Sequence, residues 1–117
     1  MGELGSYDDL KVEFFQECEE LLEATQDALQ RMSRDGNDEE ALKSAFRAVH
    51  TIKGGAGSFG LVDVVRQADA FETALDFQSE RPSKCPKEHL LMLQERLDLL
   101  AKTSDAASLP FLSVFPE

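Results

Sequence analysis

The feature that most constrains the fold is the spacing of apolar residues across residues 7–32, a segment without glycine or proline. Side chains three or four positions apart share one face of an α-helix. The segment therefore predicts one long amphipathic helix, with Ser6 as a candidate N-cap and with Asp8 and Asp9 in the first turn. Its apolar stripe consists of Leu10, Phe14, Cys18, Leu21, Thr25, Ala28 and Met32.

Three further segments have the same helical spacing and are separated by turn residues. The second helix is predicted from residue 38 to about 56, where the segment 57–60 ends it. The third is predicted from about 62 to 78, and the fourth from about 87 to 102. The sequence has no alternation of apolar and polar residues long enough to predict a β-strand. Because the connections are short, we expect an all-α, antiparallel four-helix bundle.

The fourth predicted helix carries apolar side chains on a second face, at Leu91, Met92 and Leu99. Within the tail, residues 104–117, the segment 109–115 (LPFLSVF) is too apolar for a typical disordered segment. We therefore expect an irregular tail that packs on this face. A neighbouring segment outside this chain is the alternative. A length of 117 residues with 42% apolar residues predicts a single domain, residues 1–117, with its bundle at about 7–103.

Composition argues against several classes of function. The 23 acidic and 12 basic residues give a net charge of −11, which repels a phosphate backbone, so we expect no nucleic-acid partner. No apolar run approaches the ~20 residues that span a bilayer, and no leader opens the chain. We therefore expect a cytoplasmic protein without membrane insertion. Cys18 and Cys85 lack the repeated spacing of a disulfide framework or a zinc site, so we expect reduced thiols and no metal.

One histidine has an environment suited to chemistry. On a helical wheel, His50 lies at the border between core and solvent, where packing can hold one side of the imidazole while an edge stays open. Lys43, Arg47 and Lys53 lie near it and form a positive patch that would stabilise an anion. A histidine at the edge of an apolar helix face is nevertheless inert in most proteins, so position and charge alone leave open that His50 has no chemical role.

Three glycines follow His50 near the end of the same helix. Gly54, Gly55 and Gly57 each cost about 1 kcal/mol relative to alanine. We expect the missing side chains to let a partner's backbone or a phosphate approach the imidazole. A simple helix end and turn is the alternative explanation.

Glu72 lies in the apolar arc of the third helix, where a carboxylate needs a partner. If the second and third helices are antiparallel neighbours, His50 and Glu72 are about one turn out of level, which is compatible with contact. A carboxylate that accepts the Nδ1 proton would leave the Nε2 lone pair free to attack phosphorus. An ion pair between Glu72 and an exposed lysine or arginine is the alternative.

The segment 46–60, FRAVHTIKGGAGSFG, closely resembles the phosphoacceptor segment of histidine phosphotransfer (HPt) domains, especially the N-terminal domains of chemotaxis histidine kinases. The resemblance extends in helix order to about residue 103. It implies that His50 is phosphorylated, that Lys53 and the glycines shape its surroundings, and that Glu72 hydrogen-bonds the imidazole. Family members often have a second histidine where this chain has Asp69, and many have a fifth helix that is not evident here.

The resemblance also implies a function and partners. We expect a phosphocarrier of a bacterial two-component or chemotaxis system, phosphorylated by a histidine kinase ATP-binding domain that uses ATP and Mg. The acceptor would be an aspartate of a CheY-like response regulator receiver domain. This domain alone would need no cofactor and have no activity, although it would form part of a histidine kinase. A helical protein-binding module without phosphotransfer is the alternative.

Two other sequence features could suggest nucleotide or metal binding, but their context argues against both. Gly55, Gly57 and Gly60 satisfy the G-x-G-x-x-G pattern of nucleotide-binding loops, but those loops follow a strand, and here the glycines end a helix. His50 and His89 are not spaced as a ligand pair on one helix face, which argues against metal binding.

Overall fold

The computed structural model describes residues 7–35, 38–80 and 84–112. These residues form four helices: α1 (Tyr7–Arg34), α2 (Glu39–Ser58), α3 (Val62–Ser79) and α4 (Lys87–Leu112). Helices α1 and α3 each pack against both α2 and α4. Short connections make successive helices antiparallel, so the predicted all-α four-helix bundle is confirmed. The candidate N-cap Ser6 lies outside the described residues.

The core forms where the apolar stripes of the four helices meet. Thr25 can be buried in this core because its hydroxyl donates a hydrogen bond to the carbonyl of Leu21 at 2.8 Å. Leu10, which belongs to the predicted stripe of α1, is instead 42% exposed. The buried face of α2 is formed largely by small residues, Ala41, Ala45, Ala48 and Ala56. The largest fully buried side chains are Phe71, Met32, Ile52, Leu75, Leu93 and Leu100.

Polar contacts and one glycine determine where α2 begins and ends. The side chain of Asp38 caps the helix by accepting from the backbone N–H of Ala41 at 2.9 Å. Arg31 donates to both carboxylate oxygens of Asp38 at 3.2 Å, which joins the end of α1 to the start of α2. After α2, Gly60 takes a φ of +68°, a conformation that glycine adopts at little cost. The chain then reverses directly into α3.

Helix α4 continues ten residues past its predicted end and reaches Leu112. The expectation of an irregular tail is therefore wrong for residues 104–112. Residues 103–109 contain no glycine or proline to interrupt the helix, and they bury Ser104 and Ser108. Of the predicted second face, Met92 is half-buried against the core, whereas Leu91 and Leu99 remain 60% and 43% exposed, so the described part of the extension does not cover these two leucines. The expected packing of residues 113–117 lies outside the described residues.

Over the residues that the structure describes, no helix has both the length and the apolar character of a bilayer-spanning segment. Cys18 and Cys85 are both buried thiols that lie outside any disulfide. Burial, reinforced by the charge of Glu17, raises the pKa of the Cys18 thiol to about 12, so this thiol stays protonated and unreactive at neutral pH.

Candidate functional site

His50 projects from the middle of α2 with its side chain 65% exposed. Its ring stacks on the ring of Phe46, one turn earlier in the helix, with centroids 6.2 Å apart and an interplanar angle of 7°. Phe46 is itself half-buried against the core. The imidazole is therefore supported on one face and open at its outer edge, the position that the helical wheel predicts.

Glu72 of α3 holds the inner edge of the same imidazole. Its side chain is 14% exposed, and its Oε2 lies 2.5 Å from Nδ1 of His50. A carboxylate only accepts hydrogen bonds, so Nδ1 carries the proton and donates a hydrogen bond to Glu72. For a neutral imidazole this leaves the lone pair on Nε2.

Lys53 is a second donor to the Glu72 carboxylate. Its Nζ donates to Oε1 of Glu72 at 2.8 Å and to Oδ1 of Asp69 at 3.1 Å. The sequence left open whether Glu72 pairs with His50 or with a cation, and in the structure it contacts both. The four side chains form one hydrogen-bonded chain in the order His50, Glu72, Lys53, Asp69.

These contacts shift the pKa values of Glu72 and Lys53. Burial on its own would raise the pKa of Glu72, but hydrogen bonds from Lys53 and His50 and the lysine charge outweigh it, so the pKa is lowered. Hydrogen bonds to Glu72 and Asp69 raise the pKa of Lys53. At neutral pH the site therefore contains an ionised carboxylate and a protonated ammonium directly beside His50.

The predicted basic residues lie on the same side of α2 as His50. Lys43 and Arg47 are exposed, seven and three residues before it, and Gly54 follows one turn after it. Residues with these separations share a helix face. This face is open to an approaching protein or phosphate.

The three predicted glycines have different surroundings. A Cβ atom added at Gly54 or at Gly57 would meet nothing within 4 Å, so both positions border open space. A Cβ at Gly55 would lie 2.4 Å from a ring carbon of Phe14 on α1. Gly55 thus permits α1 to pack closely on α2, a structural role that sequence alone did not separate from partner access.

The sequence analysis noted Asp69 only as the residue that replaces the family's frequent second histidine and assigned it no role in the site. The available signal was its spacing: Asp69 precedes Glu72 by three residues on α3, just as His50 precedes Lys53 by three on α2. The other histidine of this chain, His89, lies in the first turn of α4, where its Nδ1 is 2.6 Å from Oε1 of Gln78. Within the described residues, no group of three or more His, Cys, Asp or Glu side chains could hold a metal ion.

Comparison with known proteins gives a consistent family assignment. A family profile described as "Hpt domain" matches residues 9–103. Chemotaxis protein CheA of Rhizobium meliloti (strain 1021) is 40% identical over 99 residues, which cover 85% of this chain and 13% of that protein. Chemotaxis protein CheA of Cereibacter sphaeroides is 44% identical over 103 residues, covering 85% of this chain and 15% of that protein. The chain thus spans less than one sixth of these relatives, between 13% and 15% of their length.

Proposed function

This chain belongs to the Hpt domain family, and from that membership we propose that His50 is its phosphoacceptor, receiving a phosphoryl group from a kinase and passing it to a receiver domain. The observation that carries the proposal is the 2.5 Å contact between Nδ1 of His50 and Glu72. It keeps the proton on the inner nitrogen and presents the Nε2 lone pair at the exposed edge. A nucleophile at an open edge is what a protein phosphocarrier requires.

In the first transfer, the Nε2 lone pair attacks the γ-phosphorus of ATP bound to a histidine kinase ATP-binding domain. A bond between nitrogen and phosphorus forms, the bond between phosphorus and the bridging oxygen breaks, and ADP leaves with that electron pair. The imidazole becomes positively charged as its lone pair is used. Glu72 stabilises this charge through the Nδ1 proton, and Mg²⁺ bound in the kinase domain would neutralise charge on the phosphates.

In the second transfer, a carboxylate oxygen of an aspartate in a CheY-like receiver attacks the same phosphorus. The bond between nitrogen and phosphorus breaks, and its electron pair returns to Nε2, which regenerates the neutral imidazole with its proton on Nδ1. Lys53 would stabilise the charge of the phosphoryl group, and Lys43 and Arg47 would help to bind the partner. Gly54 and Gly57 leave room for its approach.

We infer the signalling pathway of this phosphotransfer from the relatives, which are named chemotaxis protein CheA. We propose that this chain is the phosphoacceptor domain of a chemotaxis histidine kinase, and that ATP and Mg²⁺ are used by a separate kinase domain and not by this bundle. Since the reaction uses ATP, we place it in the cytoplasm.

The proposal is tested by incubating the chain with Mg-ATP and the catalytic domain of a CheA relative, followed by mass spectrometry under alkaline conditions that preserve phosphohistidine. We expect the label on His50 and its loss in His50→Gln. His89→Gln is the matched control and should be labelled like the wild type. An unlabelled wild type, with the kinase active on its own substrate, would overturn the proposal in favour of a protein-binding module.

A further inference from the structure

The ammonium of Lys53 is shared between two carboxylates of α3. Glu72, at 2.8 Å, is nearly buried and also accepts from His50. Asp69, whose Oδ1 lies 3.1 Å from the same ammonium, has a side chain that is 62% exposed to solvent. Glu72 therefore links Lys53 to the imidazole, while Asp69 acts on Lys53 without contributing a bond to His50.

An ammonium has three N–H donors, and here two of them are already used. A phosphoryl group on Nε2 of His50 would have to compete with both carboxylates for the charge of Lys53. Glu72 also accepts from His50 and is needed to orient the imidazole, so it cannot be removed without disturbing His50. The Asp69 contact is the one that can be removed without disturbing the imidazole.

We propose that Asp69 is a positioning residue that restrains Lys53 and so weakens the attraction between its ammonium and a phosphoryl group on His50. This inference rests on the function proposed above. With Asp69 present, the phosphorylated form is less stabilised and its phosphoryl group is passed on more readily. A neutral residue at this position would release Lys53 and favour retention of phosphohistidine.

The test measures the equilibrium between ATP with the unphosphorylated domain and ADP with the phosphorylated domain, using the kinase catalytic domain to reach it from both directions. Asp69→Asn should shift this equilibrium toward phosphohistidine by roughly two- to fivefold, the range expected for a partly exposed ion pair. The shift should shrink at high salt. Asp69→Glu, which can restore the ion pair, should return the equilibrium toward that of the wild type.

Asp63→Asn is a matched control, because Asp63 is an exposed aspartate of the same helix that pairs with Arg66 at 3.7 Å. It should leave the equilibrium unchanged. The decisive comparison places Asp69→Asn in a Lys53→Met background, where the shift should disappear.

Three outcomes would overturn the inference or its premise. An unshifted equilibrium in Asp69→Asn, with the wild type phosphorylated, would overturn the inference alone. The same shift in the Lys53→Met background would also overturn it, since Asp69 would then repel the phosphoryl group directly. A wild type that is never phosphorylated would overturn the proposed function instead.

Discussion

At the scale of single residues, the carboxylate of Glu72 has two separable tasks, one for each of its oxygens. Oε2 accepts from His50 and Oε1 from Lys53. The first contact selects the tautomer and stabilises the charge that develops on the imidazole. The second keeps the carboxylate itself ionised, because the lysine lowers the pKa of Glu72. The reactivity of His50 thus depends on a residue that would never touch the phosphoryl group.

Glu72→Ala should therefore slow phosphorylation of His50 by about 10- to 100-fold, the usual effect of removing a residue that orients a histidine. The overall fold should persist, because the change leaves no large cavity. Initial rates at a fixed kinase concentration would measure the effect, with circular dichroism as a check on the fold. Glu95→Ala, at an exposed glutamate of α4, is the control and should react at the wild-type rate. Equal rates in Glu72→Ala would remove the orienting role.

The lowered pKa of Glu72 also predicts how stability depends on pH. A carboxyl group whose pKa is lower in the folded state contributes stability above its ordinary value of 4.5, and this contribution is lost as the pH falls through the folded pKa. The difference in free energy of unfolding between wild type and Glu72→Gln should thus be largest near neutral pH and should shrink below pH 4.5. Urea titrations across this range would measure it. A constant difference would contradict the assigned ionisation.

Burial explains which of these residues the sequence could reveal. Glu72 was identifiable because it is a carboxylate in an apolar arc, and such a group must have a partner. His50 stood out at the edge of an apolar stripe. Asp69 gave no such signal, because water can solvate an aspartate on an exposed helix surface, and the sequence then requires no protein partner for it. Its contact with Lys53 depends on the relative rotation of α2 and α3, which periodicity does not determine.

At the scale of helices, the two neighbouring glycines of α2 have opposite requirements. A side chain at Gly54 would extend into open space, whereas one at Gly55 would meet the ring of Phe14. Gly54→Ala should stabilise the domain by about 0.5–1 kcal/mol, since alanine lowers the entropy cost of forming the helix. Gly55→Ala should destabilise it by about 1 kcal/mol, because overpacking against α1 outweighs the same gain. Equilibrium urea unfolding of the two variants would measure both, and equal effects would contradict the assigned packing of α1 on α2.

The helix boundaries show where apolar periodicity succeeds and where it fails. The bounds of α1, α2 and α3 lie within a few residues of those predicted, because turn residues follow each helix directly. The end of α4 was misplaced by ten residues. There the stripe continues with small and polar residues, Ser104 and Ser108, whose burial a pattern of large apolar residues cannot detect. The residues after Lys102 simply contain nothing that stops a helix before Pro110.

At the scale of the whole molecule, the site and the α4 extension are separate parts of the bundle. The hydrogen-bonded chain around His50 uses side chains of α2 and α3 only. The extension, beyond residue 103, contributes Ser104, Ser108 and the half-buried Ala107, which packs on the core. Stability and phosphotransfer should therefore respond differently when the extension is removed.

Deletion of residues 104–117 should lower the free energy of unfolding by about 1–2 kcal/mol, or the Tm by roughly 5–10 °C for a domain of this size. The rate of His50 phosphorylation, measured well below that Tm, should stay at the wild-type value. Differential scanning calorimetry and the kinase assay would give the two results. In the full-length chain, Ala107→Asp should be destabilising, while Ala106→Asp, at the exposed neighbouring position, should have little effect. An unchanged Tm on deletion would mean that α4 beyond residue 103 contributes nothing to the bundle, and a slowed phosphorylation would mean that the extension supports the site after all.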